Sequence, residues 1–491
     1  MMKRLFLYIV IFTAALFVAS CSDNDSFTTN RSDILSFSTD TVRMDTVFST
    51  VPTSTYTFWV RNNSSDGLRL RQVRLQRGNQ TGFRVNVDGT YLDNSMGSVV
   101  SGLEIRKGDS IRVFVELTSA MNDAEEPQLV EDNLVFSLES GVEQKVNLCA
   151  YSWDALLYDN VVISKDSTIS GTKPIVIRGG LKVDSLATLT INAPATVYFH
   201  SGAGIDVYGR LIINGNNGDD VVLRGDRTDR MFDYLPYDRV SGQWKGIHIH
   251  PSSTGNSFTF ADIHSADSAI VCDSAAFDEA TKRLSLNYVT VHNCKGSGVA
   301  AYNSNIEMAN CQITNTLGDC LAVYGGRALV VYCTFAQFYP FEGDRGVAMR
   351  FTNYIGDYDN PLHMLECYNS LITGYSEDEI MGETKDSTVT FAYHFENCII
   401  RTPKPKELEG DDAKPSEKFV NIVFETPKDT IQGTQHFIKV DADNQYYDFH
   451  LDSLSTARGK AFPTDLYPLD RDGVLRGATP DIGCYQYRPK E

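Results

Sequence analysis

A 22-residue repeat constrains this chain more than any other feature. Tyr288-Val289-Thr290-Val291-His292-Asn293 realigns with Asn310-Cys311-Gln312-Ile313-Thr314-Asn315 and with Tyr332-Cys333-Thr334-Phe335-Ala336-Gln337, each frame beginning 22 residues after the last. Asn369-Ser370-Leu371-Ile372 and Asn397-Cys398-Ile399-Ile400 continue it at spacings of 37 and 28, one period plus insertions of 15 and 6. A second short strand follows in three of the units, at 298–302, 320–324 and 346–350. So short a unit has no core of its own and must bury its apolar positions against neighbouring copies, in coils stacked about 4.8 Å apart with equivalent side chains in ladders. The repeat predicts a right-handed parallel β-helix, placed here at 159–488.

Ahead of it, 35–151 reads as an all-β sandwich, because period-2 alternation recurs between turn residues. Tyr56, Phe58 and Val60 form one run and Phe83, Val85 and Val87 another. A run from Ile111 to Leu117 follows the Lys107-Gly108-Asp109 turn, and a hairpin is expected about Gly141. In Leu68, Leu70, Val73 and Leu75 the alternation changes phase, which predicts a bulge.

Three stretches resemble known families. The strand pattern of 35–151 resembles Hydin-like immunoglobulin-type domains of bacterial surface proteins, which implies a spacer or adhesive module. The stretch from Gly179 to Gly225, with Trp244-Lys245-Gly246-Ile247 after it, resembles the opening coils of secreted pectin-lyase-like β-helix proteins. The last resembles the closing segment of choice-of-anchor-type β-helix proteins, with Ser455 and Ala457 at its small positions and Cys484 where Ala is usual, and implies that this segment covers the last coil.

At the N-terminus, Lys3-Arg4 precede an apolar run too short to span a membrane comfortably. It ends in Val18-Ala19-Ser20-Cys21, which resembles the lipobox of bacterial lipoproteins. The resemblance implies a signal peptide at 1–20, lipidation of Cys21, a linker at 21–34 and a membrane partner through the lipid anchor. The acidic Ser22-Asp23-Asn24-Asp25 resembles the surface-export signal of gut-bacterial lipoproteins, so an outer-membrane, surface-exposed location is expected.

The chain carries 44 basic and 63 acidic side chains, and loss of Lys3 and Arg4 with the signal leaves 42 against 63, a formal charge of −21. Such a surface repels phosphate backbones, so nucleic acid is not an expected partner. Nine cysteines remain beside Cys21, an odd number with no CxxC spacing, and several occupy inward strand positions as small apolar filler.

Alternation splits the second strands into faces. Val299, Leu321 and Val347 are expected inward, as are Ala301, Val323 and Met349. Tyr302, Tyr324 and Arg350 are expected outward in one column, with Asp273 one coil earlier. Aromatic rings pack on sugar C–H surfaces and Arg pairs with uronates, so these four are the candidate glycan-binding residues, although a ladder stabilised only by stacking has the same composition.

A lyase reading needs a base and acidic groups for Ca²⁺ on the outer face; Asp319, Arg350 and Lys295 are the catalytic candidates, and Glu342 and Asp344 the metal candidates. Insertions at 338–346, 352–363 and 375–390 leave room for such a site. Gly318-Asp319-Cys320-Leu321-Ala322-Val323 resembles an acidic motif of β-helix polygalacturonases, but with Gly318 in place of the first Asp it has one carboxylate where a glycosidase needs two. His248 and His250 share an outward strand face and could hold a metal given a third ligand, which the sequence does not identify. Asp470-Arg471-Asp472-Gly473 resembles half a Ca²⁺ loop and reads better as a capping turn.

With no complete catalytic set, the sequence favours a non-catalytic surface lipoprotein that binds glycan or matrix and needs no cofactor. A Ca²⁺-dependent lyase or a hydrolase of acidic polysaccharide is the alternative, and a structural role in a surface assembly a third.

Overall fold

The computed structural model describes residues 26–409 and 415–489. Cys21 and the signal segment lie outside them. Among the described residues the protein is all-β apart from short 3₁₀ turns, and it divides between Asp154 and Ala155 into two units.

The first unit contains two five-stranded sheets. One is ordered Leu35–Phe37, Tyr56–Asn62, Ser110–Leu117, Phe83–Val87, Thr90–Tyr91, and the other Thr41–Phe48, Glu143–Trp153, Gln128–Leu138, Leu68–Leu75, Val99–Ile105. Phe58, Val60 and Val115 from the first meet Leu70, Val73 and Phe136 from the second in one buried core, so alternate residues of each strand are apolar. The expected bulge lies between Leu70 and Gln72, where the pairing with Gln128–Leu138 shifts register. Strands Thr41–Phe48 and Val99–Ile105 were not foreseen; the first pairs in parallel with Glu143–Trp153.

In the second unit, strands from Leu156–Ile163 to Val423–Glu425 pair in parallel, coil upon coil, as a β-helix-like solenoid. Its interior is laddered: Ile263, Val291, Ile313, Phe335, Ile372 and Ile400 stand in one column, all fully buried. The repeat frame begins at the corner of each coil. Phe260, Tyr288, Asn310, Tyr332, Asn369, Asn397 and Asn421 all have φ between 47° and 57°, the left-handed region that asparagine tolerates better than most side chains. Cys272, Cys294, Cys311, Cys320, Cys333, Cys367, Cys398 and Cys484 are buried free thiols, the expected filler.

The structure departs from the sequence expectation in two places. The third second-strand is offset by two residues: Leu321 pairs with Met349 rather than Val347, and Ala322 with Arg350. Arg350 therefore continues the Ala300–Ala322 row, while Thr352 follows Tyr302 and Tyr324. A two-residue slip preserves the inside–outside alternation, so hydrophobic pattern alone cannot detect it.

The closing segment, expected on the last coil, instead runs back along the side of the stack. Cys484 N donates to Thr334 Oγ1, Tyr485 Oη to Gln312 Oε1 and Arg476 Nη2 to Asn310 Oδ1. Arg471 reaches Thr290 and Asp220 in earlier coils. The outward polar rungs Thr290, Gln312 and Thr334 supply the partners that hold it there. Its Asp470 accepts the backbone N–H groups of Asp472 and Val474, which is the capping turn expected of that motif.

Candidate functional site

The outer face of the second strands carries two adjacent rows. One runs Asp206, His248, Val271, Ala300, Ala322, Arg350, Met381 through successive ladder pairs. The other contains Tyr302, Tyr324, Thr352 and Glu383. Backbone hydrogen bonds from His250 to Val207 and from Asp273 to Ile249 extend this second row through Asp273 and His250 to Tyr208.

Tyr302 and Tyr324 stack at 4.7 Å between ring centroids and 7° between planes, the coil spacing itself. Each ring covers one face of the other, and both side chains are part-buried. Burial pushes the Tyr324 phenol up to about 12, so it is a neutral hydrogen-bonding group at any ordinary pH.

Arg350 donates through Nε to Asp319 Oδ2 at 2.7 Å and approaches Glu383 at 3.5 Å. The other carboxylate oxygen of Asp319 accepts the Val347 N–H at 2.9 Å, and Asp319 is 6% exposed. The Asp319–Arg350 pair thus fastens one coil to the next. Lys295 stands exposed on a turn of the preceding coil, its methylenes over Gly242. Glu342 and Asp344 lie in an exposed loop, where Glu342 Oε1 accepts the Gly343 and Asp344 N–H groups. The fold brings Asp273, Tyr302, Tyr324 and Arg350 onto one face and leaves Lys295, Glu342 and Asp344 away from it.

Asp273 meets a pair of side chains that the sequence had left without a partner. His248 Nε2 lies 2.8 Å from Asp273 Oδ1 and His250 Nδ1 3.6 Å from Oδ2. On their other side Asp206 Oδ1 is 3.8 Å from His248 Nδ1 and 2.9 Å from His250 Nε2. Asp206 lies one coil before His248 but 42 residues before it in the sequence, because the 226–243 excursion lengthens that coil.

A second histidine group lies on another face. His264 Nδ1 is 2.8 Å from Asp262 and its Nε2 2.8 Å from Asp238, while Arg224 adds its charge to Asp238 at 2.6 Å. Burial would depress the His264 imidazolium, but the two carboxylates outweigh it and raise its pKa to about 9. Burial likewise opposes ionisation of Asp262, yet His264 and His292 hold it well below the usual carboxylate range. His292 stacks on His264 at 4.6 Å and borders a cleft of about 170 Å³ lined also by Arg239, Gln312, Thr314, Asn315 and Tyr446. His264 precedes His292 by 28 residues, one period plus six, the same interval that separates Asn369 from Asn397.

Two further groups look catalytic in isolation. His436 lies 2.9 Å from Ser455 Oγ and 2.7 Å from Glu425, the partners of a hydrolytic triad. All three side chains are buried, His436 completely, so no substrate carbonyl could reach Ser455. Burial pushes the Glu379 carboxyl up to about 8, a value suited to a general acid, but Glu379 is fully enclosed and accepts the Ser376 and Ala348 N–H groups. Ser455 and Glu379 are therefore both closed to substrate.

No family model matches the sequence, and no curated protein matches it. Similar solved structures include a family 123 glycoside hydrolase from Clostridium perfringens, at 8% identity, 27% of this chain, 30% of that one and a TM-score of 0.19. The major pilin subunit of Bacillus cereus gives 8% identity, 27%, 44% and 0.15. The catalytic unit of a GH87 α-1,3-glucanase from Streptomyces thermodiastaticus gives 12% identity, 75%, 89% and 0.24. This chain spans less than half the length of the first two. The likenesses are shallow, and what the protein does has to be argued from its own side chains.

Proposed function

We propose that this chain is a surface-anchored lipoprotein, tethered through Cys21, whose solenoid binds a glycan without cleaving it. An immunoglobulin-like spacer and a right-handed β-helix are parts of the same reading. The observation that carries it is the outer row Tyr208, His250, Asp273, Tyr302, Tyr324, Thr352 and Glu383, in which every rung but Thr352 carries a ring or a carboxylate along an extended face. Carboxylates and phenols of this kind accept from and donate to sugar hydroxyls, and solenoids use such faces for extended ligands.

The charges on this face refine the ligand class. Arg350 is shared between Asp319 and Glu383, while Asp206 and Asp273 leave the strip acidic. A neutral or amino-sugar glycan fits it better than a uronate polymer.

The test is a glycan array on the purified full chain in detergent, followed by calorimetry on the best ligand. The variant carrying Tyr302→Ala and Tyr324→Ala is expected to lose at least about tenfold in affinity, equivalent to ~1.4 kcal/mol. Unchanged affinity in a folded double variant would show that the stacked pair serves only the fold.

A further inference from the structure

The structure assigns a zinc-type metal site to Asp206, His248 and His250, with Asp273 as the outer partner of both histidines. The assignment stands on these four side chains and does not depend on the glycan reading.

Strands Ile205–Val207 and Ile247–Ile249 pair in parallel with Asp206 directly beside His248, and His250 two residues on faces the same way. The Asp206 Oδ1 separations from His248 Nδ1 and His250 Nε2 are 3.8 and 2.9 Å. Tetrahedral zinc with bonds of about 2.0–2.2 Å places neighbouring ligand atoms roughly 3.3–3.5 Å apart. The two separations straddle that range, and one ligand atom from each of the three side chains lies within 4.8 Å of the other two.

The opposite nitrogen of each ring faces Asp273. Metal-binding imidazoles are commonly oriented in this way, one nitrogen on the ion and the other directed at a carboxylate. The approach of His248 Nε2 to Asp273 is not aligned as a hydrogen bond, and the atom is shielded from solvent without a hydrogen-bond partner. A small turn of the ring on ligating through Nδ1 would supply that bond, so ion binding satisfies a nitrogen that the protein alone does not. Tyr208 lies flat on His250, at 3.9 Å and 6°, and holds that ring in place.

The donor set selects the ion. Two imidazoles and a carboxylate suit zinc and its transition-metal neighbours, whereas calcium prefers an all-oxygen shell. Three protein ligands leave a fourth position for water or a ligand hydroxyl, and the Asp206 side chain is 54% exposed, so this position opens to solvent. The otherwise similar Asp262, His264 and His292 group is different: His264 hydrogen-bonds to a carboxylate through each nitrogen, and the Arg224 guanidinium already supplies a positive charge.

The test is calorimetric titration of the chelator-stripped full chain with zinc chloride, with cobalt(II) absorption as a second readout. One zinc per chain is expected. His248→Ala and His250→Ala should each weaken it by more than about 100-fold, and Asp273→Asn by roughly 10–100-fold. His200→Ala, at an exposed histidine paired with Asp226, should leave binding unchanged. The metal-free unfolding midpoint of each variant checks its fold, and Asp206→Asn replaces either alanine variant that fails this check. Absence of stoichiometric zinc in the folded wild type, or undiminished binding when His248 and His250 are both replaced, would overturn the assignment.

Discussion

Replacing Glu425 with alanine is expected to destabilise the solenoid by about 3–5 kcal/mol, the usual cost of removing one partner from a buried ion pair. Glu425 Oε1 accepts from Arg401 Nη1 at 2.7 Å, Gly433 N at 2.8 Å and Thr373 Oγ1 at 3.1 Å, and Oε2 meets His436 Nε2 at 2.7 Å. Burial opposes its charge, but the His436 and Arg401 contacts outweigh this and keep its pKa below the ordinary glutamate value. Without it the Arg401 guanidinium stays buried with no counter-charge, and His436 loses the partner of one nitrogen. Chemical denaturation followed by circular dichroism measures the loss. Ser455→Ala should cost less, about 1–3 kcal/mol, because it leaves the buried His436 Nδ1 and the Ala457 N–H without their partner but no charge unpaired. A Glu425→Ala variant as stable as the wild type would remove the network from the account.

Raising the pH from about 6.5 to 9 is expected to cost the solenoid on the order of 3 kcal/mol through His264 alone, whose pKa is raised from 6.5 to about 9 in the folded protein. The folded pKa of about 9 lies above the ordinary histidine value of 6.5, so the folded protein retains a proton that the unfolded chain releases in this window. The stabilisation is complete below about pH 6.5 and disappears as the pH passes through 9. Asp262 and Asp238, both held below 3.8, work at the other end: their contribution is present above that value and is lost on acidification. His292 and Arg224 also face this cluster, and neither reverses the sign. Glu379, raised from 4.5 to about 8, loses its contribution in the same direction as the pH rises. Asp238→Asn separates the two groups. It lowers the His264 pKa and should flatten the decline between pH 6.5 and 9, leaving the Glu379 part unchanged. Equal slopes in wild type and variant would contradict a charged His264.

The repeat was legible because each coil must place a tolerant residue at its left-handed corner and an apolar one on the inside. Asn310, Asn369 and Asn397 mark the corner, and Ile313, Phe335 and Ile372 mark the interior. What was not legible concerns offsets and returns. The slip that moves Arg350 out of the tyrosine row leaves every side chain facing as before, so period 2 is silent about it. The return of 470–485 along earlier coils depends on hydrogen bonds to Gln312 and Thr334, which appear in the sequence only as polar residues on outward positions. Of the face itself, Tyr302, Tyr324 and Asp273 could be aligned by counting, whereas Asp206 beside His248 and His250 could not. The excursion between these two coils breaks the count, and only the ladder restores it.

The central claim is that the outer face holds a glycan and performs no chemistry on it. The measurement that tests it most directly is prolonged incubation of the full chain with its best array ligand, with and without added calcium or zinc, assayed for new reducing ends and unsaturated products. Saturable binding and intact glycan are expected under every condition. Catalytic release of shortened or unsaturated sugar that disappears in the Tyr302→Ala and Tyr324→Ala variant would contradict it.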